Sequence, residues 1–339
     1  MRRTIKSLVK ALGGAITAAA CVAPLQAETL TVQGVYAANV DLPGDVEIIA
    51  VDRFAGLAGP DAQVAIMQAL GSAAVEGLRH FRVVQGNPGF FGETVIFVGP
   101  SGANTQNENG ADAVLSGTLR GESFDQRAGF RTRRECVARD KDGDCVRRKD
   151  IDVPCFERRV QLNPRLLLTS RDGRVLYANN QPLVDSVRFC RDDFFIPTTF
   201  EIGGTLIDRL AADIRFDLAP EVRVDDIRVM EARKGLKGTD RDLFGDAVRL
   251  TKSDAYAACL AFEDLETRNP GNVSVLFNNG LCAESQNDLV SASDFYRRAL
   301  ALDPDRDYPS QGLERIVSRE RAAVQLAARA KVQAGRTVE

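Results

Sequence analysis

Ala111-Asp-Ala-Val-Leu-Ser-Gly-Thr-Leu-Arg120 has the length and the apolar content of a buried strand. Upstream, Val46-Glu-Ile-Ile-Ala-Val-Asp52 predicts a second buried strand. Between the two, Pro60 marks the start of an amphipathic helix, because proline is favoured at the first position of a helix. The residues expected on the buried face of that helix are Val64, Met67, Leu70, Ala74 and Leu78.

A second helix is predicted further along the chain. Thr198 and Glu201 have the spacing of a capping box, in which each side chain bonds a free backbone N–H at the helix start. The apolar stripe that follows consists of Ile202, Leu206, Leu210 and Ile214. A sheet covered by the two helices would bury both stripes. Residues 28–220 are therefore predicted to form an α+β (or α/β) sheet-plus-helices domain.

The amino terminus, residues 1–27, has the features of an export signal peptide. Four basic residues precede a short stretch of small, apolar residues, and Leu25-Gln-Ala27 supplies a cleavage site. Alternatively, Ala18-Ala-Ala-Cys21 resembles the lipobox of bacterial lipoproteins, in which Cys21 would be lipidated. The sequence therefore predicts a periplasmic protein or, in the alternative, a lipoprotein anchored in the outer membrane.

Composition excludes several classes of function. His80 is the single histidine, and no catalytic partner for it is visible in the sequence, which argues against a histidine-based triad and a histidine-rich metal site. This residue is expected to cap a helix or lie at the surface. Removal of residues 1–27 takes away four positive and no negative charges, which changes the net charge from −3 to −7. An acidic chain is poorly suited to nonspecific binding of nucleic acid, which depends on neutralising phosphates.

Six cysteines lie beyond the signal segment, and an even number in an exported chain favours disulfides. Arg171-Asp-Gly-Arg174 predicts a two-residue hairpin turn of type I′. In the register set by this turn, two of the cysteines lie opposite each other on paired strands. The predicted pairs are Cys136–Cys145, Cys155–Cys190 and Cys259–Cys282. No cysteine spacing fits a zinc site, so no metal is predicted.

The first half of the mature chain resembles a known family. The strand at 46–54, the helix near 60–78 and the sequence Ala111-Asp-Ala-Val-Leu-Ser-Gly-Thr118 are similar to the curli secretion-channel family. They also resemble its relatives, the amino-terminal domain of the periplasmic Tol-Pal protein and the lipoprotein activators of penicillin-binding proteins. The resemblance implies a strand-helix-strand core and a role in envelope assembly or secretion, without catalysis.

The long cysteine-bearing strands depart from that family's pattern. Strands that face lipid need alternating apolar residues. Here arginines occupy odd and even positions alike, so neither face suits lipid, and a water-exposed hairpin is predicted. The arginines concerned are Arg131, Arg133, Arg134, Arg147, Arg148, Arg158 and Arg159. Interleaved aspartates favour a self-neutralising hairpin over a patch that binds an anionic polymer or lipid headgroups.

After Pro220 the pattern changes to helices. Residues 221–238 are charged and irregular and are predicted to link two domains. Residues 239–306 resemble two tetratricopeptide repeats, and residues 307–339 are expected to form a capping helix and a tail. Small residues such as Gly280 would let neighbouring helices approach closely.

The resemblance to tetratricopeptide repeats implies a groove that binds a protein or peptide partner. A stripe at helical spacing on the second repeat could line it: Ser274, Phe277, Asn278, Leu281 and Glu284. Alternatively, Phe277 and Leu281 pack against the first domain or the capping helix. The membrane enters as a partner only through lipidation of Cys21, and the oligomeric state is left open.

No catalytic residue, cofactor or metal is predicted, and the protein is expected not to be an enzyme. Asp140, Asp142 and Asp144 lack the glycine and glutamate positions of a calcium loop and favour a solvated turn. A carboxylate enzyme using Asp192, Asp193 and Glu201 is the remaining catalytic alternative. The sequence thus predicts a protein-binding scaffold or adaptor in envelope assembly or secretion, or, alternatively, a lipoprotein subunit of a secretion or cell-wall complex.

Overall fold

A computed structural model describes residues 28–86 and 110–336 of the chain. The predicted signal segment and Cys21 lie outside the described residues. The strands are β1 (Thr29–Tyr36), β2 (Ile48–Val51), β3 (Ala74–Val75), β4 (Leu78–Arg79), β5 (Arg82–Gln85), β6 (Ala113–Arg139), β7 (Cys145–Ser170), β8 (Val175–Asn179), β9 (Leu183–Cys190) and β10 (Glu221–Arg228). The helices are α1 (Gly59–Gly71), α2 (Thr199–Leu218), α3 (Gly238–Leu250), α4 (Ala255–Arg268), α5 (Val273–Ser285), α6 (Leu289–Leu302) and α7 (Asp307–Arg336).

The main sheet has the strand order β5-β2-β6-β7-β8, with β9 also paired to β7. Strands β5, β2 and β6 are parallel, and the remaining pairs are antiparallel. The Asp112 carboxylate accepts hydrogen bonds from the backbone N–H groups of Glu47 and Ile48, at 3.0 and 2.9 Å. The aspartate of the motif therefore aligns β2 beside β6, which explains its place just before that strand.

Helices α1 and α2 pack on the sheet and bury its main hydrophobic core. The capping box of Thr198 and Glu201 is present, and the predicted stripe of α2 is buried. The predicted face of α1 is corrected, because the helix ends at Gly71 and buries Ala62, Gln63, Ile66 and Leu70. Of the five residues predicted for that face, Val64 is exposed on α1 and Leu78 is exposed on β4.

A long hairpin of β6 and β7 extends from the sheet, and its outer part is exposed as predicted. The turn at 171–173 differs from the predicted type I′ turn. Gly173 has a positive φ of 85°, whereas Asp172 does not, so the loop has three residues closed by the Ser170 N–H bonding the Arg174 carbonyl. A bulge between Leu168 and Thr169 follows it. The bulge offsets the longer loop, so the predicted register is recovered further along the strands.

The three predicted cysteine pairs are all formed. Cys155 and Cys190 are paired residues of β7 and β9, and both are buried. The Cys136–Cys145 bond closes the tip of the long hairpin, and the Cys259–Cys282 bond joins α4 to α5. Disulfides persist in oxidising compartments, so these three bonds are those of an extracytoplasmic protein.

The first eight residues of the segment 221–238, predicted to be an irregular linker, form a regular strand. All eight residues of β10 pair with β1, from Thr29 opposite Arg228 to Tyr36 opposite Glu221. Leu30 and Val32 of β1 pack in the hydrophobic core of the helical region. Exposure alternates along β10 with the period of a strand that is half-covered on one face, and the exposed face carries Val222 and Val224. Its partner β1 is distant in the sequence, since the paired residues Thr31 and Asp226 are 195 positions apart. Local pattern does not reveal such a pairing.

Helices α3 to α6 form two antiparallel helical hairpins between residues 238 and 302. Gly280 of α5 allows the close approach predicted for it, because a Cβ there would lie 2.6 Å from the Tyr296 ring of α6. Among the described residues, no helix is both long and apolar enough to cross a membrane.

Helix α7 connects the helical region to the sheet domain. Its first half packs on α5 and α6, while Arg321 and Gln325 bond the segment that follows β1. Further on, the Arg329 guanidinium lies 5.3 Å from the centre of the Phe81 ring and 3.3 Å from His80 Nε2. The expectation that His80 caps a helix or lies at the surface is corrected, because it is buried under α7.

The burial of His80 predicts a loss of stability at acid pH. Desolvation, together with Arg329, lowers the pKa of His80 from 6.5 to about 4. Neutral His80 therefore supports the fold above the unfolded-state pKa, and this support is lost as pH falls from 6.5 to about 4. We expect His80→Gln to remove up to about 3 kcal/mol of the acid-dependent loss in urea unfolding. Parallel pH profiles of the wild type and His80→Gln would contradict this.

Candidate functional site

The five residues predicted to line a partner groove are buried within the chain. They are Ser274, Phe277, Asn278, Leu281 and Glu284, and Ser274, the most exposed among them, retains 5% of its surface. The open groove is therefore corrected to an internal packing surface. Phe277 packs against the capping helix, as the alternative predicted. Its ring lies 5.6 Å from the ring of Tyr308 on α7 and 5.6 Å from the ring of Tyr296 on α6.

The chain's own connecting segments cover this face of α5. Asn278 accepts a hydrogen bond from the Met230 N–H at 2.9 Å and donates one to the Met230 carbonyl at 3.0 Å. Met230 follows β10, so Asn278 holds the connection between the sheet domain and the helices. A buried amide that bonds both backbone groups of one residue supports that single path of the chain.

Glu284 is the centre of a buried ionic cluster. Its side chain is fully buried, and both carboxylate oxygens accept hydrogen bonds from Arg315 of α7, at 2.9 and 2.6 Å. The Tyr296 hydroxyl donates to the same carboxylate at 2.7 Å. Burial and the adjacent Glu284 charge raise the pKa of Tyr296 well above its ordinary value. These groups join three helices to one another, and their role is structural.

The three carboxylates of the catalytic alternative each have a structural partner. Asp192 forms an ion pair with Arg133 at 3.0 Å, and Asp193 pairs with Arg131 at 2.7 Å. The hydrogen bond from the Cys190 N–H, followed by Arg131, lowers the pKa of Asp193. Glu201 caps α2, and its bonds to Thr198 lower its own pKa. The three groups support the loop after β9 and the start of α2.

The aspartates of the hairpin tip form a turn. Asp140 Oδ1 accepts hydrogen bonds from the N–H groups of Asp142 and Asp144, at 3.0 and 2.9 Å. Within residues 28–86 and 110–336, no group of three or more histidine, cysteine, aspartate or glutamate side chains could hold a metal ion. Part of the arginine charge on the long hairpin of β6 and β7 is neutralised within the chain, for example by the Arg134–Asp150 and Arg158–Asp125 pairs.

Asp52 is a half-buried carboxyl with a raised pKa. Desolvation raises the pKa of Asp52 from 3.8 to about 6. It directly follows β2, where parallel sheets commonly bind ligands beyond the carboxyl ends of their strands. Its pKa has desolvation as its single cause, so no neighbouring charge acts on it in the described structure. A single carboxyl of this kind defines no catalytic arrangement.

A large apolar groove lies on the sheet domain between the first halves of α1 and α2. Its volume is about 1040 Å³, and we call it the α1–α2 groove. Its floor is the start of the long hairpin, with Leu119 and Gly121 on β6 and Leu162 on β7. Exposed apolar side chains stand on its rim, including Leu57, which is fully exposed, and Phe200, which is 78% exposed. Exposed apolar groups around a concave surface are typical of an interaction site.

The charged side chains of the groove are mostly acidic. Asp61 of α1 and Asp208 of α2 stand on opposite walls, and Glu122 lies at the edge of the floor. Arg120 is the basic residue beside them. The excess of acidic groups gives the groove a negative rim around an apolar centre.

Two adjacent glycines form part of the α2 wall. A Cβ added at Gly203 or Gly204 would have no atom within 4 Å, so neither glycine is required by packing inside this chain. Glycine within a helix costs about 1 kcal/mol relative to alanine. The sequence contains this glycine pair in a predicted helix, and that was the available signal for the groove. The groove itself joins four separate segments of the chain, so its shape could not be derived from local pattern.

Replacing the glycine pair is expected to stabilise the protein. Gly203→Ala with Gly204→Ala should raise the free energy of unfolding by about 1–2 kcal/mol, because alanine lowers the helix cost and meets open space. Urea unfolding of the intact chain measures this. Gly280→Ala is the matched control, since its Cβ would collide with the buried Tyr296 ring and should destabilise the fold. A loss of stability in the double alanine variant would contradict the open geometry.

The fold and the groove together define a class of protein: a mixed α+β protein with three disulfides and an apolar groove beside the edge of its sheet. No family model matches the chain, and no curated protein matches it. The tetratricopeptide assignment of residues 239–306 therefore stays a prediction.

Two solved structures share a weak likeness with about half of this chain. The PelC dodecamer from Paraburkholderia phytofirmans has 13% identity and a TM-score of 0.22, over 55% of this chain and 98% of its own. A neuraminyllactose-binding hemagglutinin homolog from Helicobacter pylori has 8% identity and a TM-score of 0.26, over 53% of this chain and 87% of its own. Both TM-scores are below 0.5, so neither likeness bears on the function of this chain.

Proposed function

We propose that the protein is a non-enzymatic scaffold or adaptor that binds another protein in the bacterial envelope, in assembly or secretion. The observation that carries the proposal is the α1–α2 groove, an apolar cavity of about 1040 Å³ with exposed leucine and phenylalanine on its rim. Three disulfides support an extracytoplasmic place of action. The partner site is moved from the predicted helical groove to the sheet domain.

Absence of an acid–base pair in the groove supports binding over catalysis. Its charged groups stand on the rim, and its centre is lined by apolar and glycine residues. Catalytic sites typically bring a nucleophile or base within hydrogen-bond distance of a second polar group. In the described part of the chain, Asp61 and Asp208 are exposed surface carboxylates without such an arrangement.

The helical region supports an adaptor in another way. We propose that α3 to α6 are two tetratricopeptide repeats whose concave side is occupied by the chain itself. Arg319 of α7 bonds the Gln33 carbonyl of β1 and the Asn287 side chain, at 3.2 and 2.6 Å. These bonds hold the helices against the β1–β10 ribbon. The repeats would then position the sheet domain and leave the α1–α2 groove open to the partner.

A photocrosslinking experiment in bacteria tests the proposed function. The crosslinking amino acid p-benzoylphenylalanine would replace Phe200 or Leu57 at the groove, and Val290 of α6 as a matched control, which is 82% exposed. We expect an adduct with one defined envelope protein from both groove positions and none from Val290. No groove adduct, or the same adducts from all three positions, would overturn the proposal.

The mature amino terminus distinguishes two forms of the proposal. Cleavage after Ala27 would leave Glu28 as the first residue of a periplasmic protein, and this is the form we propose. The alternative is an outer-membrane lipoprotein that begins at a lipidated Cys21. Mass spectrometry of the protein purified from the envelope separates them, and a diacylated Cys21 would replace the first form by the second.

A further inference from the structure

The floor of the α1–α2 groove borders an open edge of the main sheet. β6 pairs with β2 only at residues 113–115, and one further bridge joins Ala55 to Thr118. The Leu119 N–H still bonds the Ala55 carbonyl at 2.8 Å. Beyond it, residues 120–127 of β6 pair with β7 on one side, and no described strand pairs with them on the other. A free strand edge offers backbone N–H and C=O groups to an added strand. This edge runs directly along the groove.

The residues beside this edge leave room for a bound segment. Leu119 is buried beneath the helices, and alternation along β6 places Gly121 and Ser123 on the same face. Their cross-strand partners, Leu162 and Val160, are buried and line the groove. Gly121 and Ser123 are small, so Leu162 and Val160 on the neighbouring strand β7 remain accessible from the groove. An apolar surface therefore lies beside the free backbone of β6.

The opposite wall is also free of side chains where a bound segment would pass. Gly203 and Gly204 face open space, and a Cβ on Gly121 would meet its nearest neighbour, Leu162, at an ordinary 3.5 Å. Packing inside the chain therefore requires none of the three glycines. Glycine is disfavoured within helices and strands, and close approach by another molecule is a physical reason for placing it there.

The charge of the rim selects the chemistry of that molecule. Asp61, Asp208 and Glu122 outnumber Arg120, and they stand on both walls and at the edge of the floor. Asp61 and Asp208 are exposed at the surface and take part in none of the ion pairs within the described structure. Electrostatic complementarity favours basic groups on the partner and opposes acidic ones.

Resting on the proposed function, we infer that the partner contributes an extended segment that adds to the free edge of β6 as a strand. Its side chains on the face toward α1 and α2 would be apolar beside Gly121, with a basic residue where the segment passes Asp61 and Asp208. On the other face a basic side chain would lie beside Glu122, because successive residues of a strand point to opposite faces. An amphipathic helix would fill an apolar groove but would leave the strand edge unbonded. The open edge therefore favours a strand, since main-chain hydrogen bonds supply affinity in this mode of binding.

Peptide selection on the intact, disulfide-bonded protein tests the inference. A phage library of random short peptides would be selected on the wild type, with counter-selection on Gly204→Phe, in which the new ring fills the groove. The recovered peptides would be synthesised with and without N-methyl groups at alternate backbone nitrogens. We expect the peptides to combine apolar and basic residues, and N-methylation in one of the two alternating sets of backbone nitrogens to weaken binding by about tenfold or more.

Matched variants test the charge and the location. Asp61→Asn with Asp208→Asn should weaken binding by about threefold to tenfold, most strongly at low salt. Asp305→Asn, an exposed aspartate on the helical region, should leave binding unchanged. Unfolding curves of Gly204→Phe confirm that lost binding reflects a filled groove.

Outcomes of the test separate this inference from the proposed function. Groove-dependent peptides that are helical, or that tolerate N-methylation in both sets, would overturn strand addition and leave a binding groove in place. Recovery of no groove-dependent peptide, or of acidic ones, would overturn the inference outright. The proposed function fails separately, if the photocrosslinkers at Phe200 and Leu57 give no adduct.

Discussion

Glu284→Gln is expected to destabilise the protein by about 3–5 kcal/mol. The Glu284 side chain is fully buried, and it receives two hydrogen bonds from Arg315 and one from Tyr296. A neutral amide would leave the Arg315 guanidinium, which is 14% exposed, without its counter-charge. The loss of a buried partner is costly because the remaining charge stays away from water. Urea unfolding of the intact chain measures the change.

Two variants make this prediction specific. Glu231→Gln breaks the exposed ion pair with Arg228 and should cost about 0–1 kcal/mol, since water screens it. Replacing the whole cluster by apolar groups, with Glu284→Leu, Arg315→Met and Tyr296→Phe, should recover most of the stability, because no unpaired charge remains. Equal effects of Glu284→Gln and Glu231→Gln would show that the buried pair has no special weight.

Removal of the Cys155–Cys190 disulfide should lower the free energy of unfolding by about 4 kcal/mol. The bond joins residues separated by 35 positions, so the oxidised unfolded chain is restricted by a long loop. It also holds the end of β9 against β7 at a buried site. The change to measure is the urea unfolding of the variant with both cysteines replaced by alanine.

The hairpin-tip disulfide is the matched control. Cys136 and Cys145 are separated by 9 positions, and the loop-closure entropy that a disulfide removes from the unfolded chain is smaller for a shorter loop. Alanine at both positions should therefore cost about 1 kcal/mol less than at Cys155 and Cys190. Hydrogen exchange should show that the loss of protection is confined to the long hairpin. A larger effect at the hairpin tip would indicate that the long hairpin, and not β9, limits global unfolding.

Much of the sheet domain could be predicted from local pattern. The α2 capping box and its stripe depend on spacings of three and four residues, and both are present. The opposition of Cys155 and Cys190 was predicted from a hairpin register and is observed. The turn itself was predicted as type I′ and is a three-residue loop with a bulge. The predicted register of β7 with β8 and β9 is nevertheless correct, because apolar alternation, as well as the turn, aligns the strands.

Other features depend on contacts between distant parts of the chain. The stripe of α5 looked like a binding surface because its residues share one helical face, but the connection after β10 and α7 cover it. His80 looked like a surface residue because the helix that buries it lies 249 positions away at Arg329. Periodicity shows that a face is apolar, and it does not show which element covers that face.

The α1–α2 groove shows the same limit at the candidate site. The sequence contains the glycine pair and Phe200, which form one wall of the groove. The floor of the groove comes from β6 and β7, and its other wall comes from α1. Nothing local to Gly203 predicts that Asp61 stands opposite it. A cavity is defined by what is absent between elements, so its position depends on how those elements pack.

The sequence by itself determined helix starts, strand alternation and cysteine pairing, because these depend on bonds between residues that are near in the chain or opposite in one hairpin. Only the tertiary structure decided that β1 and β10 form a ribbon, that the helical face is closed and that the sheet domain holds the open groove. Those outcomes depend on which apolar faces meet, and hydrophobic burial has no direction that a local pattern could encode.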